Sequence, residues 1–211
     1  MVYLKVKTSD KKFMFNLGRL FARGEQIQII NQSEVDAKIE EEKNLGYAKS
    51  FNMMIKYWQV NNLAPNIFTQ PKNNMNMFLI CPVRRATEKE KKLLSQTISK
   101  YEKKGIHVHY PERDTNQNPV VRGKNTGGYN ICLQNATAIA SANTVSIFYN
   151  PQSVGSMFDL GVTYELAIKD PSRRFILEND FKLNKNDYIE KIILKLQQKN
   201  GKDCDAIEQW N

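Results

Sequence analysis

The sequence predicts an α/β fold, in which helices cover both faces of a parallel sheet and a small N-terminal β+α arm precedes it. Three observations support this prediction. The 211 residues suit one α/β domain with an attached arm. Short apolar runs alternate with amphipathic segments of helical length in the last two thirds of the chain. The first run, residues 77–82, is apolar throughout and ends at a proline, which is typical of a strand buried on both faces.

Residues 1–72 are predicted to form the arm. It contains three short β-like runs, at residues 3–7, 12–18 and 26–30, and then a helix start at residues 31–33. Two prolines and many amide side chains make residues 61–77 resemble a linker. We therefore place the boundary near Asn73.

Residues 73–211 are predicted to form the α/β domain. Hydrophobic spacing assigns its elements in turn. The strands are residues 77–82, 106–110, 144–149 and 174–177, and the helices are residues 87–104, 131–142, 157–168 and 187–199.

Composition excludes several classes of protein. The chain has no apolar run of about 18 residues that could span a bilayer, and its first 20 residues lack the apolar core of a signal peptide. We therefore expect a cytoplasmic protein that does not enter a membrane. Three cysteines and two histidines at no metal-ligand spacing indicate neither a disulfide framework nor a zinc site. We expect no metal or other cofactor.

The net charge of +9 is spread along the chain and favours anionic partners. The favoured alternative is that the charge only keeps the surface solvated and soluble. The candidate anionic partners are nucleic acid, a membrane surface and a phosphorylated small molecule. The sequence lacks a basic patch interleaved with aromatic residues, which argues against nucleic acid.

In parallel sheets, ligands bind beyond the carboxyl ends of the strands. Three segments follow predicted strands there: residues 82–85, which include Arg84 and Arg85, the long polar loop 111–128, and residues 150–155. The arginines could hold a phosphate or could simply be exposed. The loop is longer than packing requires, so it could be a binding loop or a surface loop without function.

Asp159 is the most informative residue near these strand ends. No Asp or Glu lies between Asp114 and Asp159, and Asp159 has apolar neighbours early in a predicted helix. A lone carboxylate in a cleft could act as a nucleophile or an electrostatic stabiliser. The alternative is an ordinary acidic residue near a helix N-terminus.

Several segments together resemble the nucleoside 2-deoxyribosyltransferase superfamily over residues 76–178. These are FLICPVR at 78–84, YPERDT at 110–115, NICLQN at 130–135, ANTVSI at 142–147 and SVGSMFDLG at 153–161. The resemblance implies a flavodoxin-like (Rossmann-like) fold. It also implies cleavage of an N-glycosidic bond by a carboxylate on the helix after the third strand, where Asp159 lies.

Three residues depart from the transferase branch of that family. There the carboxylate is Glu, an Asp precedes it by six residues, and another Asp lies on the preceding helix; this sequence has Asp159, Ser153 and Asn135. Asp is shorter than Glu by about 1.5 Å, a distance that matters to attack geometry. Ser153 and Arg84 are similar to the phosphate-holding residues of the branch that hydrolyses nucleoside 5′-monophosphates.

The resemblance therefore implies two catalytic candidates, Asp159 and Asn135. The candidate substrate contacts are Cys81, Pro82, Arg84, Arg85, Tyr129, Asn130, Ser153, Gly155 and Ser156. Two hypotheses follow: an N-glycosidase or deoxyribosyltransferase-like protein acting on a nucleoside or nucleotide, or a protein of the same fold that binds a nucleotide without cleaving it. A homo-oligomer is expected from the resemblance alone.

Overall fold

The computed structural model describes residues 2–3, 11–24, 27–28, 73–83, 86–115 and 127–198. For residues 2–3, 27–28, 74, 127–130 and 198 it describes the backbone only. The helix predicted to begin at residues 31–33 and the linker residues 61–72 lie outside the described residues.

The main sheet has four parallel strands. They are β3 (Asn73–Ile80), β4 (His107–His109), β5 (Ala142–Ile147) and β6 (Arg174–Leu177), in the spatial order β4-β3-β5-β6. This is the flavodoxin-like order, in which the first strand lies between the second and third. The fold is therefore α/β and flavodoxin-like. A separate parallel pair joins β1 (Val2–Tyr3) to β2 (Ile27–Gln28).

Helices cover both faces of the main sheet. They are α1 (Lys11–Arg23), α2 (Glu88–Glu102), α3 (Pro111–Asp114), α4 (Gly127–Ser141), α5 (Val154–Lys169) and α6 (Tyr188–Gln198). Alternate residues of β3 enter two different cores: Phe78 and Ile80 pack in the core of α1, α4, α5 and α6, while Met77 and Leu79 pack in the core of α2. Burial on both faces explains the unbroken apolar run. No helix among the described residues combines the length and apolar character needed to cross a membrane.

The prediction of a strand at residues 12–18 is wrong, because this segment belongs to helix α1. Phe13 and Phe15 alternate along the segment and so imitate a strand. Phe13, Leu17 and Leu20 also follow helical spacing, and all three are buried. The helix packs into the same core as the helices of residues 73–198.

Two further predictions need correction at their edges. Residues 73–77, predicted as the end of the linker, form the first half of β3. The amide-rich sequence is tolerated there because Asn73 is exposed, Asn76 is only half-buried and the register shifts between Asn73 and Met77. Residues 111–114, predicted as loop, form the short helix α3, which begins at a proline in its first position.

Helix α5 is the centre of the fold. Every residue from Ser156 to Ala167 is buried. Helix α1 crosses it at Gly18 and Gly161, where backbones approach so closely that a methyl group on either glycine would overlap a carbonyl oxygen of the other helix. The buried Glu165 carboxylate of α5 pairs with Arg19 Nε at 3.1 Å and Arg23 Nε at 2.7 Å. These contacts fix the helix that carries Asp159.

Candidate functional site

The strand order creates a switch point between β3 and β5. From β3 the chain goes to β4 on one side, and β5 lies on the other side. At such a point the connections diverge beyond the carboxyl ends of the strands and leave a crevice. At this edge of the sheet, Cys81 and Pro82 follow β3, and the turn before α5 follows β5.

Asp159 and Asn135 meet at this place. Asp159 lies on the second turn of α5 and Asn135 on α4, and each is only 6% exposed. The Asn135 Nδ2 group donates to both carboxylate oxygens of Asp159, at 3.2 Å each. The two residues named as catalytic candidates are therefore in contact, which their separation in sequence does not by itself require.

Burial changes the acidity of Asp159. Removal from water raises the pKa of its carboxyl from 3.8 to about 7, although the hydrogen bond from Asn135 lowers it. Near neutral pH the group therefore exists in both ionisation states. A carboxyl of this kind can serve as a base, a nucleophile or a stabiliser of positive charge when ionised, and as an acid when protonated.

Two buried cysteines, Cys81 and Cys132, interact electrostatically with the Asp159 carboxylate and are not nucleophiles. Burial, reinforced by the Asp159 charge, raises the pKa of the Cys81 and Cys132 thiols well above the ordinary value. Both therefore stay protonated and inert at neutral pH. Cys81, named as a substrate contact, is buried together with Pro82.

The N-terminus of α5 is open. Ser153 occupies the N-cap position, but its side chain makes no capping hydrogen bond; instead the Ser156 hydroxyl donates to the Ser153 oxygen at 2.8 Å. Outside the helix's own neighbouring backbone, no atom of the residues that the structure describes lies within 4 Å of where a Cβ of Gly155 would be. Backbone N–H groups in such a position can approach an anion.

A groove of about 410 Å³ opens between α2 and the corner where β4 meets α3. Tyr110 and Glu112 line it, and their side chains are hydrogen-bonded to each other. The charges of Asp159 and Glu112 both raise the pKa of the Cys81 thiol. Cys81 therefore interacts electrostatically with one residue of the groove and with the buried carboxylate.

The remaining predicted contacts are only partly placed. Arg84 and Arg85 lie outside the described residues. Tyr129 and Asn130 belong to the first turn of α4, for which the structure describes the backbone alone. Among the residues with described side chains, no group of three His, Cys, Asp or Glu could hold a metal ion.

Two residues of the site were not predicted from the sequence. Thr115, which is 3% exposed, donates from its hydroxyl to Asn135 Oδ1 at 2.7 Å. His109 Nε2 lies 2.9 Å from the Thr115 oxygen. His109 ends β4, so the strand-end rule applied to that short strand would have found it.

Comparisons of the chain with protein-family models, curated proteins and solved structures find no match. The assignment of function therefore depends on the geometry of the site and on the resemblance of its motifs.

Proposed function

We propose that this chain is an N-glycosidase or deoxyribosyltransferase-like protein that cleaves the N-glycosidic bond of a nucleoside or nucleoside 5′-monophosphate. The observation that carries the proposal is the Asp159 carboxylate, buried beyond the strand ends and held by Asn135. Breaking an N-glycosidic bond places positive charge on the anomeric carbon of the sugar. A desolvated carboxylate beside that carbon stabilises the charge or captures the sugar covalently.

A nucleotide is the substrate class we favour. Ser153 and Ser156 are half-buried and buried hydroxyl residues at the open N-terminus of α5, and Gly155 leaves space beside them. A phosphate there would accept hydrogen bonds from backbone N–H groups and interact favourably with the helix dipole. Arg84 is assigned to the same phosphate through the resemblance.

Binding without cleavage is the second candidate function. It is favoured by one specific observation: Asp stands at position 159 where the related transferases have Glu, so the carboxylate lies about 1.5 Å further from the sugar. In either case the proposal includes a homo-oligomer in the cytoplasm and no requirement for a cofactor.

A substrate panel tests the proposal. The protein is incubated with ribonucleosides, deoxyribonucleosides and their 5′-monophosphates; free base is measured by chromatography and binding by calorimetry. We expect base to be released, and faster from monophosphates than from the matching nucleosides. Binding without release would support the second candidate function. Neither binding nor release with any member of the panel would contradict both.

The pH dependence of cleavage follows from the raised pKa of Asp159. If the ionised carboxylate does the chemistry, kcat/KM rises with pH and levels off above the pKa of about 7. The measurement is the initial rate of base release at low substrate concentration from pH 5 to pH 9. A rate that falls as pH rises through the same range would assign Asp159 the role of a proton donor and contradict the nucleophile or stabiliser role.

A further inference from the structure

A chain of hydrogen bonds leads from the edge of the sheet to the carboxylate. His109 Nε2 lies 2.9 Å from the Thr115 hydroxyl, the hydroxyl lies 2.7 Å from Asn135 Oδ1, and the Asn135 amide donates to Asp159. The His109 ring stacks on Phe78 with centroids 5.2 Å apart and planes at 15°. Stacking fixes the plane of the imidazole at the start of the chain.

One arrangement of hydrogens satisfies this chain when Asp159 is ionised. An ionised carboxylate only accepts, so Asn135 must turn its NH₂ group toward it. The Asn135 oxygen then faces Thr115 and accepts the only hydrogen that the Thr115 hydroxyl can donate. The Thr115 oxygen must therefore accept from His109, which must carry a proton on Nε2.

We propose that Thr115 is a positioning residue, oriented by His109, that holds the Asn135 amide with its NH₂ group toward Asp159. The inference rests on the proposed function, which needs an ionised carboxylate at Asp159. The orientation of the Asn135 amide stabilises that ionised form. Without the Thr115 hydroxyl, the amide can turn and present its oxygen to the carboxylate. Oxygen against carboxylate is repulsive and favours the protonated acid.

Other titratable groups also interact with Asp159 and His109, the two ends of this series of hydrogen bonds. The Cys81 thiol of the segment after β3 and the Cys132 thiol of α4 both interact with the charge of Asp159, and their raised pKa values keep them neutral. At the other end, burial lowers the pKa of His109, with His107 and Arg113 acting in the same direction and Asp114 opposing them. The imidazole is therefore neutral above pH 7.

The test compares Thr115→Val, which removes the hydroxyl at constant size, with Thr115→Ser, which keeps it. Titration of the Asp159 carboxyl by carbon NMR is expected to give a pKa of about 7 in the wild type. We expect Thr115→Val to raise it by about one pH unit and Thr115→Ser to restore it. Coincident titrations of the wild type and Thr115→Val, or an equal shift in Thr115→Ser, would overturn the proposal.

A second measurement needs no variant. Nitrogen NMR of the wild-type protein at pH 8 should show His109 with its proton on Nε2, and a proton on Nδ1 would overturn the proposal even if Thr115→Val does not fold. Both measurements are made without substrate. A failure here is therefore distinguishable from a failure of the proposed function, which would appear as the absence of base release.

Discussion

Asp159→Asn is expected to stabilise the fold at alkaline pH. The folded pKa of about 7 lies above the value of 3.8 for the free side chain, so the folded state binds the proton more tightly than the unfolded state. The ionised form therefore destabilises the fold progressively as pH rises from about 4 to about 7, and constantly above that. Replacing it with a neutral group of the same shape should increase the free energy of unfolding at pH 8 by up to about 4 kcal/mol.

Urea unfolding at pH 5 and pH 8 measures this effect. The gain of Asp159→Asn over wild type should be smaller at pH 5 by about 2.5 kcal/mol. Asp180→Asn is the control, because Asp180 is exposed and the same exchange there should change stability by less than about 0.5 kcal/mol at either pH. If the increase in the free energy of unfolding were the same at both pH values, folding would not raise the pKa of Asp159, which contradicts the account.

Gly161→Ala is expected to lower the free energy of unfolding by about 3 kcal/mol. A methyl group there would overlap the backbone oxygen of Phe15 in α1, and backbone atoms cannot move aside as a flexible side chain can. Helix α1 would have to move away from α5, which also separates Arg19 and Arg23 from the buried Glu165. An unpaired carboxylate in that position adds to the cost.

Gly155→Ala provides the matched comparison for this prediction. It makes the same change on the same helix, but beyond the local helix backbone no described residue has an atom within 4 Å of the added methyl group. Its effect on stability in urea should be within about 1 kcal/mol of zero, because alanine favours a helix more than glycine does. If both variants unfold at the same urea concentration as the wild type, the close crossing of α1 and α5 is contradicted.

The larger elements are predictable where local pattern and burial agree. Residues 77–80 are apolar because β3 is covered on both faces there, and the apolar run 77–82, which continues past the end of the strand, is typical of such a strand. Residues 12–18 give a false strand signal because Phe13 and Phe15 alternate, although Leu17 and Leu20 also fit a helix. What decides between the two patterns is the crossing of Gly18 over α5, a contact between residues far apart in sequence.

The site is predictable only in part, for a similar reason. Asp159 is identifiable because a lone acid among apolar residues is unusual, and Asn135 because of the motif around it. Thr115 gives no such signal, because a threonine in a polar loop is common, and His109 is indicated only by its place at the end of β4. Their connection to Asn135 exists only after β4 and α4 come together in the fold.

Burial of Asp159 gives the site a cost in stability that a neutral residue at that position would not have. Functional sites often retain such groups because the chemistry needs them. The unfolding experiments therefore measure how much the buried carboxylate lowers the free energy of unfolding. A rate measurement is needed to show what that carboxylate does to a sugar.

The role of Asp159 in cleavage is tested most directly by the rate at which wild-type protein and Asp159→Asn release base from a deoxynucleoside 5′-monophosphate at pH 8. We predict that the wild type releases base and that the variant, folded and still able to bind the nucleotide, is slower by at least about 1,000-fold. Equal rates in the two proteins would contradict the assignment of Asp159 as the residue that assists cleavage.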